Sequence, residues 1–209
     1  MKDGTWVDFA VGSTALNPGD HVCALYSGSA GRDEVLVRYL LEGIREGDRC
    51  ICFLEDADRR GVVEQLRSLL GERAPMASEQ VTLLEFDQTY LRHGGLSQDG
   101  WFEFLDQRLG ATGDERGSPV TRAAGEMTWS HRTTRGGGEV LCSHEAKLNH
   151  FASRRLQILL CLYDVQRFNG EVVIDVLRAH RKVISGNMIV DNPFYVESEL
   201  SHTGCSRAG

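Results

Sequence analysis

The chain has 209 residues, of which 41% are hydrophobic, and carries a formal net charge of −7. That length suits a single domain with a real core, and the acidic balance argues against direct contact with nucleic acid, whose phosphates need a basic face. No apolar run reaches the roughly 18 residues of a membrane span, and "MKDGTWVDFAVGST" at the N-terminus lacks the charged start, apolar stretch and cleavage site of a signal peptide. A cytoplasmic protein with reduced thiols is expected.

In chain order, "HVCALYS" is an apolar run between "NPGD" and a glycine cluster and predicts a strand. "GSAG" (28–31) then reads as a turn like that of a nucleotide-binding loop. The lysine and hydroxyl that would hold phosphate are replaced by Arg32 and Asp33. "RDEVLVRYLLEGIREG" carries a helical stripe from Val35 to Ile44 that ends at Gly47. "RCICFLE" is a second strand, with Cys50 and Cys52 on one face. "ADRRGVVEQLRSLL" is a second helix, and "QVTLLEF" a third strand. "SQDGWFEFLDQRLG" is a helix that Ser97 can cap. "SPVTRAAGE" is a fourth strand, "GEVLCSHEAKLNHFA" a helix, and "RLQILLCLYD" a strand apolar enough to be buried on both faces. "NGEVVIDVLRAHRKVI" is a last helix, and "GNMIVDNPFYVE" a final short strand.

Alternating strands and helices predict an α/β fold, a three-layer αβα sandwich around a mainly parallel sheet. The expected domain covers 17–199, with an N-terminal extension over 1–16 and a tail over 200–209, both candidates for disorder. "GATGDERGSP" (110–119) and "HRTTRGGG" (131–138) suit loops near the open edge of the sheet. Gly136 to Gly138 are placed to serve as a lid.

Ligands in such sheets bind at the carboxyl ends of the strands. Those ends present Tyr26, Ser27, Glu55, Asp56, Asp87, Glu126, Met127, Trp129, Tyr163 and Asp164, aromatic rings among carboxylates with no lysine to meet a triphosphate. Glu126 and Trp129 are not needed by a core and point to a site. Tyr163 and Asp164 fit either a site or a cap. His21 and Cys23 share one face of the first strand, and Cys161 and Tyr163 share one face of the fifth. Each thiol also fits a core position. His180 ends a helix, where its charge would favour the dipole. No Cys-x-x-Cys pair, zinc-ribbon spacing or nucleophile elbow occurs, and Cys23 lies in mid-strand, away from the elements that stabilise a thiolate. "HEAKLNH" has Leu148 where a zincin helix needs its second histidine. Cys205, in a polar tail, reads as a bystander. No complete catalytic constellation is present, so no enzyme is expected.

"GDHVCALYSGSAGRDEVLVRYLLEGIREGDRCICFLED", followed in order by "RAAGEMTW", "HEAKLN", "CLYD" and "DVLRAH...NPFY", resembles the MEDS domain, the methanogen/methylotroph sensory domain, over residues 17 to 196. The sequence departs from that pattern at Arg181, where proline is expected after His180. The resemblance implies a degenerate relative of RecA/KaiC-type ATPases without the Walker lysine, sensing small hydrocarbon derivatives in signalling. The function expected is a sensory domain that binds a small organic ligand at the carboxyl edge. Tyr26, Trp129 and Tyr163 would hold the molecule, with Glu126 or His21 fixing any polar group. No cofactor is expected. The alternatives are a zinc, other metal or haem sensor built on His21, Cys23, His180 or the cysteines, or a regulator that binds nucleotide without hydrolysing it. The residues outside the domain are too few for a kinase, helix-turn-helix or anti-sigma module. The signal is therefore expected to pass to a separate signalling protein or through a homodimer.

Overall fold

A computed structural model describes residues 14–55, 59–74, 79–85, 98–109, 120–132, 137–154 and 157–197. The expectations for Asp56, Asp87, Ser97, Gly136, residues 110–119, the tail with Cys205 and most of the N-terminal extension lie outside them.

Seven strands form one sheet in the order β3-β2-β4-β5-β1-β6-β7. They are β1 (His21–Tyr26), β2 (Arg49–Leu54), β3 (Val81–Glu85), β4 (Thr121–Glu126), β5 (Gln157–Asp164), β6 (Lys182–Ser185) and β7 (Met188–Asp191). All neighbours run parallel except β6 and β7, which form an antiparallel pair at one edge. The helices between them are α1 (Gly28–Glu46), α2 (Arg59–Leu70), α3 (Gln98–Leu109), α4 (Gly137–Ser153) and α5 (Gly170–Ala179). This is the expected α/β architecture with its mostly parallel sheet.

Strand alternation sorts the core into two layers. Val22, Ala24, Cys50, Cys52, Leu54, Ala124, Ile158, Leu160, Leu162 and Ile184 pack under α1 and α2. Cys23, Ile51, Phe53, Ala123, Leu159, Cys161, Tyr163 and Val183 pack with residues of α3, α4 and α5. β5 lies between β1 and β4, and all eight of its residues are buried, as its apolar sequence requires.

Three local expectations are corrected. Gly28 to Gly31 do not form a loop: β1 ends at Tyr26, Ser27 is the N-cap, and α1 begins at Gly28. The last helix stops at Ala179, and Lys182–Ser185 is a strand inserted beside β1. β-branched Val183 and Ile184 suit that strand. The glycine segment before α4 is partly helix, since Gly137 opens α4, and residues 131 and 132 close a 3-10 helix over Met127–Arg132.

Two glycines are dictated by space and backbone. Gly47 ends α1 in the left-handed region with φ 80°. Gly43 lies so close to the sheet that a Cβ would stand 2.7 Å from the Arg122 side chain and 2.8 Å from Cys50 Sγ. Arg122 occupies that space because its guanidinium pairs with Asp48 at 2.6 Å and Glu42 at 2.8 Å while lying over the Tyr39 ring.

Candidate functional site

The residues singled out in the sequence fall on opposite faces of the sheet. Tyr26, Glu126 and Asp164 belong to the α1 side. His21, Cys23, Cys161, Tyr163 and His180 belong to the α4 and α5 side, where Trp129 also packs.

On the α1 side, the turn that resembles a phosphate loop is closed by the protein's own charges. Asp164 Oδ1 accepts hydrogen bonds from the Gly28 N–H at 3.3 Å and the Gln166 N–H at 3.0 Å. A carboxylate thus stands at the N-terminus of α1, where an anion is favoured. Arg32 turns inward, 1% exposed. It donates to Asp33 Oδ1 at 2.8 and 2.6 Å and to Glu126 Oε1 at 3.2 Å. Glu126 also accepts from the Glu55 N–H at 2.9 Å and from the Tyr26 hydroxyl at 3.4 Å. Burial pushes the Glu126 pKa up, while the Glu55 amide and Arg32 pull it back. Burial works against the charge on Arg32, but Glu126 and Asp33 hold it firmly protonated. Arg32 and Asp33 are therefore parts of a buried ionic junction that joins α1 to the ends of β2 and β4.

On the opposite face, four ionisable side chains converge from four elements. His21 comes from the first position of β1, Cys161 from the middle of β5, Glu145 from α4, and His180 from the C-cap of α5. His21 Nε2 lies 3.2 Å from Cys161 Sγ, 3.2 Å from His180 Nε2 and 3.1 Å from Glu145 Oε2. His180 Nε2 lies 3.0 Å from the same carboxylate oxygen. All four residues are buried, and the ligand-type atoms lie within 4.8 Å of one another. His180 has extended backbone, φ −119° and ψ 128°, so Arg181 after it leaves the imidazole directed into the centre.

The surroundings fix the orientation of these groups. His180 Nδ1 donates to the Val176 carbonyl at 2.7 Å. Asn149 Nδ2 donates to the Ala179 carbonyl at 2.8 Å, which leaves its Oδ1 to accept from His21 Nδ1 at 3.0 Å. Both rings therefore carry their outer proton on Nδ1 and turn Nε2 inward. The Tyr163 hydroxyl donates to Glu145 Oε1, leaving Oε2 for the centre. Cys23 lies directly across the strand pair from Cys161. Burial and the facing His180 lower the His21 pKa. Burial opposes charge on His180 as well, but Cys23 and Glu145 raise its pKa well above that of an ordinary histidine. Burial would raise the Glu145 pKa, yet His180 and His21 hold it well below the usual range. Burial pushes the Cys161 thiol up.

The centre continues toward the carboxyl edge. Trp129 is 0% exposed and sits edge-on to His144, the neighbour of Glu145 in sequence, with ring centroids 5.0 Å apart. Tyr163, also 0% exposed, packs edge-on against Phe168 at 5.2 Å. The sequence set Trp129 outside the core, whereas the structure seats it inside the α3/α4/α5 layer. The sequence singled out His21, Cys161 and His180 but passed over Glu145 and Asn149. They stand four residues apart on α4 in "HEAKLN", a spacing that puts both side chains on one helix face.

This donor set, two imidazoles, a carboxylate and a thiol, is of the kind that binds zinc-class ions. It does not fit a haem clamped between the two histidines. Two axial imidazoles must stand apart by roughly twice a metal–nitrogen bond of about 2 Å, with a flat macrocycle between them. Here the two Nε2 atoms are 3.2 Å apart and the ring centroids 4.3 Å apart.

Comparison with known proteins gives the family of the chain. The family model described as MEDS, the methanogen/methylotroph, DcmR sensory domain, matches residues 20–181. The transcriptional repressor DcmR of Methylorubrum extorquens (strain DSM 6343 / CIP 106787 / DM4) is 28% identical over 162 residues, which cover 77% of this chain and 58% of the repressor. The chain thus matches little more than half of that relative's length. From residue 20, just before His21, to residue 181, just after His180, the family match encloses the whole centre, and the chain belongs to the MEDS sensory-domain family.

Proposed function

We propose that this chain is the input domain of a transcription-regulatory system, and that a small organic effector is read in the layer between the sheet and α4 and α5, from Trp129 and Tyr163 to the His21–Glu145–Cys161–His180 centre. The observation that carries the reading is the centre itself. Burying ionised side chains costs several kcal/mol per ion by order of magnitude, and apolar residues would fill the same volume at less cost. A fold that keeps two histidines, a glutamate and a thiol there, inside a family of sensory domains, is keeping them for a purpose other than packing. Aromatic walls with a few fixed polar groups are also the usual make-up of a small-molecule site.

On this reading the β1–α1 junction is a nucleotide-type turn converted to structural use, with Asp164 and Arg32 in the place of phosphate and lysine. A transcription-regulatory role places the domain inside the cell. None of the described helices is long and apolar enough to cross a membrane. Its output passes by protein contact. Asn192 Nδ2 donates to the His180 carbonyl at 2.7 Å, and its Oδ1 accepts from the Phe194 N–H at 3.0 Å. The Val196 N–H is bonded to the Arg178 carbonyl at 3.0 Å. A shift of His180 is thereby transmitted to Phe194 and Val196, which expose apolar side chains at 65% and 58%.

The test is a thermal-shift and fluorescence screen of small alcohols, ketones, amines and halocarbons against wild type and Tyr163→Phe. A compound that stabilises wild type and loses affinity in the variant supports the reading. Compounds that bind both proteins equally well defeat the placement, and a panel that binds neither defeats the proposed ligand class.

A further inference from the structure

We infer that His21, Glu145, Cys161 and His180 bind one zinc-class divalent ion in tetrahedral coordination. The first argument is the direction of the lone pairs. With both outer nitrogens donating, to the Val176 carbonyl and to Asn149 Oδ1, the two Nε2 atoms point inward and face each other and Glu145 Oε2 across 3.0 to 3.2 Å. A divalent ion placed among them would meet both imidazoles and the carboxylate at once. Protons on His180 and Cys161 can join these groups only pair by pair, whereas a metal ion meets all three and the sulfur.

Geometry is the second argument. A tetrahedron with metal–ligand bonds of about 2.0 to 2.3 Å has edges of roughly 3.3 to 3.8 Å. Four of the six separations, at 3.0 to 3.2 Å, fall within a few tenths of an ångström of those edges, and all six lie within 4.8 Å. Support from outside the four ligands is the third. Metal-bound histidines characteristically give their other N–H to a carbonyl or carboxylate, and bound carboxylates are themselves hydrogen-bonded. Here Val176, Asn149 and Tyr163 serve His180, His21 and Glu145 in turn. The ligands come from β1, α4, β5 and the end of α5, so the ion would tie α4 and α5 to the two central strands.

The inference deepens the sensory reading by assigning what occupies the centre. Metal content and effector binding are separate readouts, so either idea can fail alone. The experiment is elemental analysis of the full chain purified without chelator, followed by chelation and titration of the apo protein with zinc and with Co(II). One zinc per chain is expected, together with a Co(II) spectrum showing tetrahedral d–d bands and a thiolate-to-cobalt charge-transfer band. Cys161→Ser should keep the d–d bands and lose the charge-transfer band. Asn149→Ala, which touches no metal, should lower zinc affinity by about 10- to 100-fold. Circular dichroism confirms that each variant is folded. If Cys161→Ser does not fold, the charge-transfer band in wild type and the Asn149→Ala affinity still decide the matter. Wild-type protein that is folded, carries no stoichiometric metal and takes up neither zinc nor cobalt after chelation overturns the inference and leaves the centre a proton-sharing cluster.

Discussion

Arg32→Met removes the cation from a junction holding two carboxylates. The Arg32, Asp33 and Glu126 side chains are 2%, 11% and 5% exposed, so the anions left behind have little access to water. Breaking a buried pair by deleting one partner costs about 3–5 kcal/mol, a large share of the 5–15 kcal/mol typical of a domain. With a urea slope of about 2 kcal/mol per molar, the unfolding midpoint should fall by roughly 1.5 to 2.5 M. Methionine has a similar reach, so the loss reports charge more than volume. Adding Glu126→Gln removes one stranded anion and should recover part of the loss, with a coupling of about 0.5–3 kcal/mol in a double-mutant cycle. The assay is equilibrium urea unfolding followed by circular dichroism for wild type, both single variants and the double. A loss below about 1 kcal/mol, as for an exposed pair, with no coupling to Glu126→Gln, would refute the idea that this junction replaces a phosphate site.

Calorimetry with Mg-ATP should show no micromolar binding, because Asp164 already occupies the N-terminus of α1; a clear isotherm would revive the nucleotide reading. Trp129→Ala should destabilise the fold by about 3–5 kcal/mol in urea unfolding, as for a large aromatic removed from a core; an unchanged midpoint would show that the ring is not packed as described. Cys50 and Cys52 should resist alkylation in the folded protein, read residue by residue by mass spectrometry, because burial pushes the Cys50 thiol up to about 12 and raises Cys52 well above the usual thiol range. Since Cys50 stays protonated in the fold while ionising near its ordinary value of 9.0 in the unfolded chain, its contribution to stability is full below pH 9 and declines as pH rises toward 12. Rapid labelling of either thiol, or stability that rises through that range, would contradict the burial.

Hydrophobic period and punctuation carried most of the fold. β5 was legible because a strand buried on both faces must be apolar throughout, and α1 because its stripe from Val35 to Ile44 ends at a glycine. β6 was missed because Lys182–Ser185 follows helical periodicity with no intervening glycine or proline. Only the sheet, by placing the segment beside β1, makes it a strand. The β1–α1 turn misled because glycines mark both a loop and a helix start. What decides between them is Asp164, 136 residues away from Gly28. The centre was half legible. Alternation put His21 with Cys23 and Cys161 with Tyr163 on common faces, but nothing local says that β1 and β5 are neighbours in register. Glu145 was hidden by comparison with a zincin pattern that it does not complete; its partners come from three other elements.

The most direct test of the central claim is a crystal structure of the protein with a compound from the small-molecule screen. The compound is expected in the layer beneath α4 and α5, touching Trp129 or Tyr163 and at least one of His21, Glu145 and His180, with Asn192 and Phe194 displaced relative to the free protein. A compound found elsewhere, for example in the surface groove lined by Arg59, Arg60, Arg67 and Leu83, with the centre unchanged, would contradict it.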